Sequence, residues 1–253
     1  MISTRLQKGS AHVIIIIVLV LALIGALGWI FWQNISKSST SDERKDDKQS
    51  SVKTEPVKEK LLAGQSELAQ PISPLTFEYP ESWSLSRKSN GPIPPNTDDI
   101  SSEAITLRYQ NSTLTVNYSV GNGGIGGMCL PEEQGKVVSL SYENLPNAKG
   151  ISYVTYVHND LDGTRHSYAG LMRTGGGNTK SLSTVKAGDS SCELAFSNVL
   201  TVGNGNIALN IMSPSIRFDD VAEGADASDK YTGKVYEQAK AILMSTKLTL
   251  SNP

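Results

Sequence analysis

Along most of the chain after residue 70, apolar residues fall on alternate positions. Leu75, Phe77 and Tyr79 alternate with polar neighbours, the two-residue period of a strand. Pro80 breaks this run, and Trp83 opens a second extended segment. Ile105, Leu107 and Tyr109 alternate, Asn111-Ser112 turns the chain, and Leu114, Val116, Tyr118 and Val120 alternate on the return, which predicts a hairpin. A second hairpin is predicted from Ile151 to His158, around Asp160-Leu161-Asp162-Gly163, and back through Met172. A third carries Leu194, Phe196, Leu200 and Val202 into Gly203-Asn204-Gly205-Asn206 and returns through Ile207, Leu209 and Ile211. Asn-Gly supplies the positive φ angles that tight hairpin turns need.

The period changes near the end. Tyr231, Val235, Ala239, Ile242 and Leu243 recur at helical spacing behind Ser228 as a cap, and residues 248–250 read as a short closing strand. Strands first and a helix last predict the α+β class, a central antiparallel sheet flanked by helices.

The beginning of the chain has neither period. Residues 13–32 are an uncharged apolar run, long enough at 1.5 Å per residue to span about 30 Å of hydrocarbon. Trp29, Phe31 and Trp32 gather at its far end, where aromatic rings favour the bilayer interface. The expectation is one transmembrane helix that meets the lipid bilayer through residues 13–32, behind a cytoplasmic tail at 1–12. The best small-residue cleavage site ends at Ala26 but has Ile24 where a small side chain is required, so an uncleaved anchor is expected. Residues 33–70 mix both charge signs and hold no aromatic side chain, a composition that cannot bury enough apolar surface to offset its ordering entropy. They read as a disordered linker, with a loose helical turn or two at 59–68, and the folded domain is expected over 71–253.

Composition narrows the function classes. The chain has 253 residues, 23 basic and 25 acidic, well mixed, so no basic stripe points to nucleic acid. Cys129 and Cys192 are its two cysteines. Outside the cytoplasm they could close a loop of about 64 residues, stabilising the fold by roughly 4 kcal/mol on an entropic model. Lysine and arginine counts around the apolar run do not settle its orientation; the expected disulfide places 71–253 on the outer side. Neither cysteine has a Cys or His at ligand spacing, so zinc is not expected there.

Three motifs carry letters of known chemistry. Gly121-Asn122-Gly123-Gly124-Ile125-Gly126 spells GxGxxG after a predicted strand, yet Cys129, Leu130 and Pro131 follow where a dinucleotide fold needs a helix. The six residues are expected as a turned loop whose backbone can approach a partner closely. His158, Asp160 and Asp162 suggest a metal, but an EF-hand loop would need an acid at 158 and Glu at 169, where His158 and Ala169 stand; Asp-Leu-Asp-Gly reads as a hairpin turn. His166 lies on the returning strand, and a small register change would move it to the other face from His158. Ser183-Thr184-Val185-Lys186 matches SxxK without companion SDN or KTG motifs. No cofactor, metal or catalytic residue is expected on these grounds.

Three stretches carry resemblances. Leu75-Thr76-Phe77-Glu78-Tyr79-Pro80-Glu81-Ser82-Trp83, and the ending Tyr236-Glu237-Gln238-Ala239-Lys240-Ala241-Ile242-Leu243 with Ser245-Thr246-Lys247-Leu248, resemble the first strands and the last helix and strand of PsbP-like domains. With its anchor the chain is similar to single-pass proteins of Saccharibacteria-type bacteria. The PsbP-like resemblance covers about 25 residues and implies a sheet sandwiched between helices; it carries over no metal, chloride or photosystem role. Gln7-Lys8-Gly9-Ser10 resembles the leader end of type IV prepilins, although Ile14 stands where those carry glutamate. The function expected is a membrane-anchored, non-enzymatic binding or accessory protein that meets an unidentified component of the cell envelope. An extracytoplasmic enzyme and a pilin-like subunit are the alternatives.

Overall fold

Ten strands form, most of them where the alternation predicts. The computed structural model describes residues 59–70, 72–92, 101–122, 135–175, 181–195, 199–204, 207–221 and 227–251. In chain order the strands are β1 (Leu61–Gln65), β2 (Thr76–Pro80), β3 (Trp83–Asn90), β4 (Ser102–Tyr109), β5 (Leu114–Gly121), β6 (Lys136–Asn144), β7 (Ile151–Asn159), β8 (Arg165–Arg173), β9 (Val199–Asn204) and β10 (Ile207–Phe218). Two helices carry more than a single 3-10 turn: α1 (Cys192–Ala195), itself only four residues, and α2 (Lys234–Met244).

β1 and β2 make a separate two-stranded ribbon. The other eight strands form one sheet in the order β3-β4-β5-β10-β8-β7-β6, with β9 also on β10. Every pairing is antiparallel. β10 is the shared strand. One of its edges pairs β5 from Asn210 to Phe218; the other pairs β9 over 207–212 and then β8 at Ser215 and Ile216 only. An irregularity between Met212 and Ser215 separates the two partners, as a bulge re-aims a strand.

Strand parity gives the sheet two different faces. Ile105 and Leu107 of β4, Val116 and Tyr118 of β5, Tyr153 of β7 and Leu171 of β8 belong to one apolar core. Tyr236, Ala239, Ile242 and Leu243 of α2 close it, repeating at helical spacing on the face that packs against the sheet. The ribbon adds Phe77, whose ring stacks on Tyr118 with centroids 4.6 Å apart. Gly64 of β1 lies opposite Phe77, and a Cβ there would come 2.2 Å from the ring, so this close approach requires glycine. A second, smaller core gathers Val137, Val154, Tyr156 and Met172 under Leu182, Val185 and Leu194. Val154 and Tyr156 alternate with Tyr153 along β7, so this core lies on the opposite face, covered by the 181–195 segment.

The ribbon is tied down by a buried acid. Glu103, in the inward slot of β4 two residues before Ile105, is 1% exposed. Its carboxylate accepts hydrogen bonds from Ser66 Oγ at 2.5 Å, from the Leu68 amide at 3.3 Å and, at 3.4 Å, from the Glu67 amide. Arg87 bridges Glu67 at 2.6 Å and donates to the Gln65 carbonyl at 2.5 Å.

Several expectations are corrected. The helix-flanked α+β sandwich is not formed: among the described residues strand makes up 52% and helix 12%, and the fold is a mostly antiparallel β-sheet. The reason is that residues 136–173 fold as three consecutive strands, β6, β7 and β8, where a flanking helix would have to come from. The second face is closed by a loop segment, a single 3-10 turn and α1 instead. The linker does not extend to residue 70. Residues 61–65 are a strand and not a loose helical turn, with Ser66, Leu68 and Ala69 buried behind it. The transmembrane helix expected at 13–32, with the tail before it and residues 33–58, lies outside the described residues. Among the described residues no helix is long and apolar enough to cross a membrane. The expected single-pass, extracytoplasmic placement therefore finds no support among the described residues.

Candidate functional site

The β7–β8 hairpin brings together the histidines that the sequence left unpaired. Its turn closes when the Asp160 amide bonds the Thr164 carbonyl at 2.8 Å and the Gly163 amide bonds the Asp160 carbonyl at 3.0 Å. Gly163 takes φ of +85°, which favours glycine. This turn fixes the register so that His158 stands directly across from His166, and Tyr156 across from Tyr168. Directly opposed residues share a face. The two imidazoles stack with centroids 5.0 Å apart and planes 14° from parallel, and the Tyr156 ring lies 5.6 Å from that of His158.

Asp160, the residue after β7, reaches both rings. Its carboxylate is 2.7 Å from His166 Nε2 and 3.5 Å from His158 Nε2. The side chains of His158 and His166 are 21% and 28% exposed, that of Asp160 48%. Burial lowers the pKa of His158 below 6.5, and the neighbouring His166 lowers it further, against the opposing pull of Asp160. His158 Nδ1 is buried without a hydrogen-bond partner. Asp162 does not join the group: its carboxylate turns back to accept from the Thr164 amide at 2.8 Å, and that contact holds its pKa low.

Beside this cluster the sheet opens. β8 and β10 pair at only two positions, so His166, Ser167 and Tyr168 separate from Arg217 and Phe218. The gap is a cleft of about 280 Å3 whose floor and walls include Val221, Ala227 and Tyr231. The Ala227 amide donates to Ser167 Oγ at 2.6 Å and ties the 227–231 turn to β8. Tyr231 continues an aromatic row, 5.6 Å from Phe218 and 5.5 Å from Tyr236. Cationic and aromatic side chains therefore share one small concavity.

The site residues expected from sequence lie elsewhere. Gly121 ends β5, and Asn122 folds back on Ser101: its amide bonds the Ser101 carbonyl at 3.2 Å while its side-chain oxygen accepts the Ser101 amide at 2.7 Å. Gly123, Gly124, Ile125 and Gly126 lie outside the described residues, and so does Cys129. Cys192 is buried at the start of α1 and is not a free thiol. Among the described residues no disulfide stands at bonding distance. The expected Cys129–Cys192 bridge has one half outside the described residues, so the structure does not give its geometry. Ser183 lies in the 3-10 turn Leu182–Thr184, where its hydroxyl meets Ser181 Oγ at 3.0 Å.

Fold and site together define a predominantly antiparallel β domain with a histidine-bearing hairpin beside a small cleft. Comparison with known proteins finds no matching family model, no matching curated protein and no matching solved structure.

Proposed function

We propose that this chain is a non-enzymatic binding protein that takes a small molecule in the cleft between β8 and β10. The observation that carries this reading is the local parting of two neighbouring strands inside a continuous sheet. It leaves a concavity of about 280 Å3 lined by Arg217, His166, Phe218 and Tyr231. That is close to the lower end of ligand-pocket sizes, about 300 Å3, and suits one ring or a short acyl group. Phe218 and Tyr231 offer apolar faces, while Arg217 and Ser167 offer donors to an acidic or hydroxylated end. An aromatic or branched acid of amino-acid size combines these features.

The test is ligand-observed NMR of the full-length protein against a panel of small aromatic and aliphatic acids, amines and sugars. Acids should give the hits and compete with one another for one site. Arg217→Ala removes an exposed side chain and should weaken them at least about tenfold, the loss of one charge-assisted hydrogen bond. Hits that ignore both Arg217→Ala and Tyr231→Ala, or an absence of hits, would sink the reading.

A further inference from the structure

We propose that His158, Asp160 and His166 form a binding site for a borderline divalent transition-metal ion, of which Zn2+ is the representative. All three donors come from one hairpin, and their ligand atoms lie within 4.8 Å of one another. A tetrahedral Zn2+ with bonds of about 2.0–2.1 Å sets its donors roughly 3.3 Å apart. The nitrogen-to-carboxylate distances, 2.7 Å from His166 to one Asp160 oxygen and 3.5 Å from His158 to the other, lie on either side of that value. The pair that stands furthest apart closes by a shift on the order of 1 Å. All three side chains are partly exposed at this end of the hairpin, which leaves room for that shift. The imidazoles are pre-positioned by the ladder, since His158 and His166 are a directly opposed pair.

The arrangement exceeds what an ion pair needs. An ion pair needs one imidazole, and the His166–Asp160 contact at 2.7 Å already makes one. His158 is left over. Its Nε2 stands at 3.5 Å, beyond a good hydrogen bond, and its Nδ1 is buried without a partner. A half-buried imidazole with unmet capacity on both nitrogens calls for an explanation, and a bound ion beside Nε2 is one. The second imidazole then acts as a ligand.

Donor chemistry sets the class of ion. Two imidazoles and one carboxylate favour Zn2+, Cu2+, Ni2+ or Co2+ over Ca2+ and Mg2+, which prefer all-oxygen shells. Asp162 is committed to the Thr164 amide, so this hairpin offers three ligands and the fourth position falls to solvent or a ligand atom. Binding replaces the His166–Asp160 hydrogen bond with bonds from both groups to the ion. The missing partner at His158 Nδ1 weakens the site about 10- to 100-fold against a fully braced one, which points to moderate affinity. The inference does not rest on a ligand in the cleft, although His166 borders both.

Calorimetric titration of the metal-stripped full-length protein with Zn2+ tests it, with Co2+ absorption in the visible as a report on tetrahedral geometry. The expected result is one Zn2+ per chain, a tetrahedral Co2+ spectrum, and no heat from Ca2+ or Mg2+ at the same concentrations. His158→Gln and His166→Gln should each lower Zn2+ affinity at least about 30-fold, and Asp162→Asn should leave it unchanged. Imidazole nitrogen NMR of the unaltered protein supplies a readout that needs no variant: both rings should shift on adding Zn2+. Failure of either ring to shift, Zn2+ uptake that survives the double histidine variant, or equal uptake of Ca2+ would overturn the site.

Discussion

His158 is the residue whose environment departs most from its sequence reading. The histidines were visible in the sequence, but their relation was not. A one-residue slip in a hairpin sends side chains to opposite faces, and only the Asp160–Thr164 turn fixes which register forms. The same half-burial makes His158 a source of pH-dependent stability. Its pKa in the fold lies below 6.5, so as pH falls past that value the unfolded chain takes up a proton that the folded one resists. Stability present above about pH 6.5 is therefore lost on acidification, with Asp160 opposing the loss and His166 adding to it. Urea midpoints of the metal-free protein should fall between about pH 7 and about pH 5, and His158→Gln should flatten that slope. A variant slope as steep as the original would place the titrating group elsewhere.

At the scale of elements, what hid from the pattern was interrupted alternation. β6 reads Lys-Val-Val-Ser-Leu-Ser-Tyr-Glu-Asn, and its period breaks where the register shifts between Val137 and Ser139. β1 is five residues inside a charged stretch, too short to show a period. Yet its attachment was signalled further along: extending the inward positions of β4 back from Leu107 and Ile105 lands on Glu103. A carboxylate in a core slot announces a partner to be found, and the partner is the segment just after β1. Glu103→Ala should strand the Ser66 hydroxyl and the Leu68 amide, at about 1–3 kcal/mol for each donor left unsatisfied. We expect a loss of about 3 kcal/mol by urea denaturation, with hydrogen exchange fastest over 59–70. A loss under about 0.5 kcal/mol would mean that β1 is not held through this carboxylate. The first two hairpins, the third from Val199 onward and the body of α2 were legible, since there the period survives. Leu194, expected on the third hairpin, lies in α1, and α2 is capped by Gly233 and not by Ser228. The flanking helices implied by the PsbP-like resemblance were not found because the resembling residues lie at the two ends, while the middle of the chain sets the class.

For the whole molecule the decisive feature is β10, the strand that holds β5 on one edge and β8 and β9 on the other. Strands β3-β4-β5 and β6-β7-β8 are consecutive in the chain within each trio, but the two trios share no pairing of their own. About ninety residues lie between Gly121 and its partner Asn210, so the joint between the trios is a long-range contact with a large loop-closure cost. During synthesis this has a consequence for the nascent chain. Every strand up to β9 can leave the ribosome while the inner edges of β5 and β8 still lack the strand that covers them, and open edges of that kind recruit other chains. The protein should acquire protease resistance late and in one step. Ribosome-bound chains halted near residue 204 should be digested, whereas chains released through residue 251 should resist. Resistance of the shorter chains would show that the trios stand alone, and that β10 joins units already folded.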